Sequence, residues 1–231
     1  MKKIFIIIIS LSLISIAEVS ARVGFNAGYK YFYYIDSQGG QRKPLEGFYI
    51  GGNYDIKLFS LFSIEPGLNY NFGSRSDGVI ELLGYSAKKS TQEHLIEAPV
   101  RLKLTIPINK NFGFLVYGGA TFSCSLSGEI SYEFSRKSKD EPLMSYKYDY
   151  YRGKMNVENI KQAMMLSISQ NIDKNEYKNY DLLLGAGAGV IISKKFIVQA
   201  GYDQGFINRF AHLKTDSQYR NSFYFGASYI F

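Results

Sequence analysis

The sequence predicts an all-β chain, an eight-stranded antiparallel up-and-down transmembrane β-barrel with long extracellular loops. Three observations carry that expectation. Apolar residues recur with period two in segments of about ten residues bounded by turn chemistry. One face of these segments is almost wholly Phe, Tyr, Leu, Ile, Val and Ala, and the other mixes Glu, Lys, Arg, Asp, Asn and Gly. The connections between segments alternate short and long, as in barrels with short periplasmic turns and longer outer loops. A soluble up-and-down barrel such as a lipocalin would turn its apolar face inward around a ligand. The reverse partition makes sense with lipid as the outer solvent.

The first element is a leader. Met1, Lys2 and Lys3 form a short basic stretch, and residues 4–16 are apolar apart from three serines. Val19, Ser20 and Ala21 supply small or tolerated residues before an expected cut after Ala21. This is the form of a secretory signal peptide over residues 1–21, with an apolar part too short to span a bilayer. An N-terminal membrane anchor is the alternative reading. No cysteine follows the apolar run, so a lipoprotein is not expected. Loss of residues 1–21 leaves 25 basic and 19 acidic side chains, turning the net charge from +7 to +6 in the barrel domain 22–231. Charge of that size reads as solubility or nonspecific attraction, and export argues against nucleic acid as a partner.

Eight strands follow. In the first, Val23, Phe25, Ala27, Tyr29, Tyr31 and Tyr33 oppose Gly24, Asn26, Gly28 and Lys30. In the second, Phe48, Ile50, Gly52, Tyr54 and Ile56 oppose Tyr49, Asn53, Asp55 and Lys57. The third sets Phe62, Ile64, Leu68, Tyr70 and Phe72 against Ser63, Glu65, Asn69 and Asn71. The fourth sets Ile96, Val100, Leu102, Leu104 and Ile106 against Glu97, Arg101, Lys103 and Thr105. In the fifth, Phe112, Phe114, Val116, Ala120 and Phe122 oppose Thr121, Ser123 and Ser125, with Tyr117 off the apolar parity. The sixth opposes Tyr180, Leu182, Leu184, Ala186, Ala188 and Val190 to Asp181 and the glycines at 185, 187 and 189, which relieve crowding in a narrow lumen. The seventh opposes Phe196, Val198, Ala200, Tyr202 and Phe206 to Gln199, Gly201, Asp203 and Gly205. In the last, Phe223, Phe225, Ala227, Tyr229 and Phe231 face away from Tyr224, Gly226, Ser228 and Ile230.

Lipid forces closure. An open edge in hydrocarbon leaves backbone groups unsatisfied at several kcal/mol each, so the last strand must pair with the first. Tyr229 and Phe231 form an expected insertion signal for the barrel-assembly machinery. Phe62, Phe112, Phe196 and Phe231 fall at one rim, and residues such as Phe48, Phe72, Tyr180 and Phe223 fall at the other, as two aromatic girdles. Pro66, Pro99 and Pro107 each delete a ladder donor, which demands a bulge or a strand end.

Short gaps fall at 58–61, 109–111 and 193–195, and long ones at 35–46, 73–92, 130–178 and 208–219. In the loop 130–178, Tyr146, Tyr148 and Tyr150 alternate on one face. Two readings stand: a hairpin raised above the membrane as an aromatic platform, or the fifth and sixth strands extending past the bilayer. Asn156 is positioned to cap a short helix carrying Val157, Ile160, Met164 and Ile168 at helical spacing, with Met165 alongside.

The inward set Lys30, Asp55, Glu65, Glu97, Arg101, Lys103, Asp181 and Asp203 admits acid/base work in principle. An eight-stranded barrel is just wide enough for side chains to fill, and buried charges must pair. A structural ion-pair network is therefore the expected role, with Glu97 and Arg101 among its members. His94 and His212 fall at the outer rim or loops without a recognisable nucleophile partner, Ser90, Thr91 and Thr215 being the nearest hydroxyls. No catalytic residue is expected. One cysteine excludes a disulfide framework and multi-cysteine metal centres, and Cys124 reads as a small apolar residue. No cofactor or metal motif is present.

Residues 62–70 (FSIEPGLNY), 97–103 (EAPVRLK), 117–120 (YGGA), 184–190 (LGAGAGV) and 198–206 (VQAGYDQGF) are similar to the PorT-like outer-membrane β-barrel family of Gram-negative bacteria. The resemblance runs through 22–231 in strand order. It implies an eight-stranded barrel with prolines in its third and fourth strands. It also implies a family mostly of unknown function, with one branch tied to protein secretion; the long 130–178 loop departs from a minimal member. The expectation is an exported, non-enzymatic outer-membrane protein whose loops engage protein partners. A narrow pore for ions or small solutes is the first alternative, and a lipid-modifying enzyme the second.

Overall fold

A computed structural model of the chain describes residues 21–36, 44–82, 85–136, 139–158, 177–210 and 217–231. Residues 1–20 of the expected leader, Ile160, Met164, Met165 and Ile168 of the expected helix, and His212 and Thr215 lie outside the described residues. Ten strands are present: β1 (Ala21–Asp36), β2 (Leu45–Lys57), β3 (Phe62–Leu82), β4 (Tyr85–Pro107), β5 (Phe112–Arg136), β6 (Lys139–Asp149), β7 (Lys154–Glu158), β8 (Tyr180–Ile192), β9 (Phe196–Gly205) and β10 (Gln218–Ile230). Eight of them form an antiparallel ring in the order β4, β3, β2, β1, β10, β9, β8, β5, closed by pairing of β4 with β5. The first and last strands pair within the ring: β1 meets β10 from Gly24 opposite Ile230 to Asp36 opposite Gln218. The Phe231 amide adds a bond to the Val23 carbonyl at 3.0 Å.

Side-chain parity in all eight ring strands is the one read from the sequence. Phe25 is 48% exposed, Val116 47% and Phe225 54%, whereas Lys30 is 3%, Glu97 2% and Arg220 1%. The ring is apolar outside and polar within, which only a hydrocarbon surround favours. Tyr117 turns inward, 6% exposed, so its parity belongs with Thr121 and Ser123.

Two expectations about loops are corrected. Residues 73–82 and 85–92 are strand rather than loop: they belong to β3 and β4, of 21 and 23 residues. A crossing of the bilayer takes only about 9–11. In the 130–178 segment, β5 extends to Arg136 but β8 starts only at Tyr180, so the fifth strand rises above the ring without the sixth. Its upper edge is taken by β6, which pairs β7 in turn. Tyr132 stacks on Tyr146 across β5 and β6 at 4.7 Å. Asn156 does not cap a helix. It lies in β7 opposite Lys147, with Val157 opposite Tyr146, because the Tyr-rich alternation of β6 offers a cross-strand partner and strand pairing wins.

The prolines act more gently than expected. Pro107 ends β4, but Pro66 and Pro99 sit in strands whose register is the same on either side of them. The bulges fall elsewhere, between His94 and Leu95 against β5 and between Ser76 and Val79 in the tall hairpin. A missing donor interrupts pairing locally without slipping the ladder.

Candidate functional site

The residues with chemistry to offer lie in the lumen and at its two mouths. Inward parity delivers them from different strands to three levels. Nearest the short turns, Lys103 of β4 reaches Glu65 of β3 at 2.6 Å and Asp55 of β2 at 3.3 Å. Arg22 of β1 reaches Asp55 at 2.9 Å. The Ser63 hydroxyl donates to Asp55 and the Asn53 amide to Glu65, each at 2.7 Å. These neutral donors fill the lone pairs that the ion pairs leave, which a buried carboxylate needs.

At the middle level Lys30 pairs directly with Glu97 and stands 4.0 Å from Asp203. Arg220 of β10 lies 3.8 Å from Glu97 and 3.9 Å from Asp181. Arg101 differs from expectation. Among the described ion pairs it has none; its guanidinium lies over the rings of Tyr117 and Tyr224 at 4.9 and 5.1 Å. The planar, weakly hydrated guanidinium suits an aromatic face, and a Tyr49, Tyr117 and Tyr224 cluster supplies it.

The outer mouth is organised by a residue the sequence reading missed. Glu93 of β4 accepts hydrogen bonds from Tyr34 at 2.5 Å, Tyr150 at 2.6 Å, Tyr151 at 2.9 Å and Arg209 at 2.6 Å. Arg209 also donates to the Tyr151 hydroxyl and lies 4.3 Å above the Tyr34 ring. One carboxylate thus ties the turn after β6 and the segment after β9 to the ring. Burial pushes the phenols of Tyr150 and Tyr151 well above their ordinary range. Burial works against the charge of Arg209, but Glu93 and the surrounding phenols outweigh it and hold the group above its ordinary value. With four donors on it, Glu93 cannot take a proton from a substrate without undoing this dock.

The remaining candidates stay apart. His94 faces outward, its Nδ1 2.5 Å from the Tyr70 hydroxyl and its ring 5.0 Å from Phe72, as part of the outer girdle. Cys124 is half-buried, opposite Ile96 and Tyr180. Tyr229 packs against Phe196 at 4.9 Å and Phe231 at 5.1 Å, at the short-turn rim.

Arg220 and Glu93 were within reach of the sequence. Arg220 shares the parity of Tyr224, and Glu93 that of Glu97, two further steps up each strand. Arg209 and Tyr151 lie in connecting segments where period two gives no signal, and the alternation that includes Tyr150 does not point to Glu93.

Several solved outer-membrane proteins are similar in backbone. Ail of Yersinia pestis, solved with the heparin analogue sucrose octasulfate, is 14% identical with a TM-score of 0.44, over 91% of this chain and 99% of its own. Neisserial surface protein A is 9% identical with a TM-score of 0.46, over 92% and 99%. OprG of Pseudomonas aeruginosa is 9% identical with a TM-score of 0.41, over 92% and 97%. Among curated proteins, none matches the chain. The family model for the outer membrane protein beta-barrel domain matches residues 5–231, and the chain belongs to that family.

Proposed function

We propose that this outer-membrane protein is a plugged barrel, filled by its own side chains, that acts without catalysis through the surfaces it presents outside the lumen. One observation carries the reading. Around Tyr49, Arg101, Glu97, Lys30 and Tyr224 the lumen retains a cavity of about 10 Å³, the threshold for holding a single water. The charges that surround this constriction face one another, which favours a structural network of Lys30, Asp55, Glu65, Glu97, Lys103, Asp181 and Asp203. The tall sheet of β3 to β7 is the surface offered to protein partners at the cell exterior. Affiliation with the PorT-like branch, and through it a tie to secretion, rests on the five sequence segments quoted above. Export by a cleaved leader and insertion through Tyr229 and Phe231 complete the reading.

Planar-bilayer recording of the full chain tests it. The expected trace has no steady open level. A stable, reproducible conductance sinks the plugged barrel in favour of a narrow pore.

A further inference from the structure

The short-turn mouth carries a feature that the plug does not require. Below the Lys103, Asp55 and Glu65 level the lumen widens into a cavity of about 320 Å³, open at the turns. That is the low end of the range for small-ligand sites, about 300–1,000 Å³. Its lining holds five basic side chains, Arg22, Lys57, Lys103, Lys110 and Lys194, against the single carboxylate of Asp55. The opposite wall is apolar, formed by Ile191, Ile197 and Ile230 from β8, β9 and β10.

Asp55 is already shared between Arg22 and Lys103, and Lys103 is also held by Glu65. Among the described residues no carboxylate lies within ion-pair distance of Lys57, Lys110 or Lys194. The Arg22 Nε is buried with no hydrogen-bond partner. A donor withheld from water and from protein is an unfilled demand, on a residue that lines the cavity the lysines surround. Cations gathered in a cleft with low-dielectric walls concentrate field lines and draw in the opposite charge.

The rim is also pre-organised. The Asn109 side chain accepts from the amides of Asn111 and Phe112 at 2.9 Å each, fixing the turn that bears Lys110. The Ser193 amide donates to the Asn111 carbonyl at 2.6 Å, lacing that turn to the one bearing Lys194. Ser193 and Lys194 both hold positive φ, 54° and 61°, as the two central residues of a type I′ turn do. The lysines therefore stand on a braced frame.

We propose that this mouth binds an oxyanion of headgroup size, a phosphate group, with Arg22, Lys57, Lys110 and Lys194 as its donors and the isoleucine wall accepting whatever apolar body the phosphate carries. In outer-membrane barrels the short turns face the periplasm. The phosphate then has two sources, a soluble periplasmic compound or an inner-leaflet phospholipid headgroup.

The full chain in dodecyl maltoside micelles, followed by backbone amide NMR, tests the site with inorganic phosphate titrated against sodium chloride at matched ionic strength. Expected are saturable shifts confined to the turns at 58–61, 109–111 and 193–195, weakened at least tenfold in K57Q/K194Q and unchanged in K147Q on the tall sheet. All of these substitutions fall on exposed lysines, and the amide spectrum reports whether each variant folds. A second arm compares nanodiscs of phosphatidylcholine with and without phosphatidylglycerol. Shifts of the same amides with phosphate alone assign a soluble ligand, and shifts with phosphatidylglycerol alone assign a headgroup; both results support the site. Silence in both arms overturns it, as do shifts reproduced by chloride or indifferent to K57Q/K194Q.

Discussion

Replacing Lys30 by methionine tests how the lumen tolerates charge. The side chain is 3% exposed, pairs with Glu97, stands 4.0 Å from Asp203, and has the rings of Phe32 and Tyr224 at 5.4 and 5.8 Å. Methionine keeps much of the stem and its packing on those rings but removes the ammonium. Glu97 then keeps Arg220, at 3.8 Å, as its ion-pair partner, and Asp203 loses the one ion pair it makes among the described residues. Removing one partner of a buried pair costs about 3–5 kcal/mol because the other charge stays buried. The surviving Arg220 sets the expectation at the lower end, about 3 kcal/mol, or about a hundredfold in the unfolding equilibrium. Adding Glu97→Gln removes the stranded charge, and the double variant is expected within about 1 kcal/mol of the parent. The chain has no Trp, so urea unfolding in detergent is followed by far-ultraviolet circular dichroism, with each variant's slope compared to the parent's. A Lys30→Met cost below about 1 kcal/mol, or a double variant as damaged as the sum of the singles, refutes the argument that charge compensation holds the lumen.

Three other predictions follow from neighbouring geometry. Arg101→Lys keeps the charge but surrenders the planar stack on Tyr117 and Tyr224, for an expected loss of about 1 kcal/mol in the same urea assay; parent-like stability means the rings contribute nothing. Gly187→Ala drives a methyl into the Tyr117 phenol and the Ala200 carbonyl, costing about 1–3 kcal/mol by overpacking. Gly52→Ala, whose new Cβ meets the Gly24 carbonyl oxygen at an ordinary contact distance of 3.6 Å, is expected within about 0.5 kcal/mol of the parent. Equal effects at the two glycines would remove the crowding argument. The outer dock is alkali-sensitive: an unfolded tyrosine ionises near pH 10, whereas burial keeps Tyr150 and Tyr151 protonated beyond that. Above about pH 10 the unfolded state has shed protons that the folded state retains, so the dock's contribution is intact below that pH and falls as pH rises past it. Tyrosinate absorption against pH should show a late step in the parent that is missing in Tyr150→Phe/Tyr151→Phe; identical curves would show that these phenols are not held by the dock.

The legible part of the molecule is the part that obeys period two. Between the rims each inward residue is set against hydrocarbon-facing neighbours, and a slip of one would place Lys30 or Glu97 in lipid. The penalty is large enough that sequence alone fixes the face of each ring strand. Above the rim that penalty vanishes. Both faces of β3, β4 and β5 meet water or protein there, so alternation fades, and 73–82 and 85–92 look like loop although they are strand. Asn156 fails for a related reason: a capping residue followed by apolar spacing is a local signal, overridden by the partner that β6 provides. The Arg101 misplacement is of a third kind. Inward parity was right, but whether a buried guanidinium meets a carboxylate or an aromatic face depends on which cross-barrel residue shares its height, and strand spacing does not give stagger.

Heights, once known, explain how so many charges fit in so narrow a lumen. Arg22 and Lys103 answer Asp55 and Glu65; Lys30, Arg101 and Arg220 answer Glu97, Asp181 and Asp203; Arg209 answers Glu93. Each level is neutral by itself, so no level depends on a charge two turns of side chain away, where screening by intervening dipoles would weaken the attraction. The lumen as a whole then adds nothing to the net charge of +6 carried by residues 22–231, and the excess resides on the rims and outer segments. A neutral filling with a cationic short-turn rim separates two tasks that a single charged channel would confuse. Ion pairs between strands fix the ring, and the unpaired lysines at the turns remain available to a ligand. Neutralising a rim lysine should therefore alter binding while leaving unfolding untouched, whereas neutralising Lys30 should do the reverse.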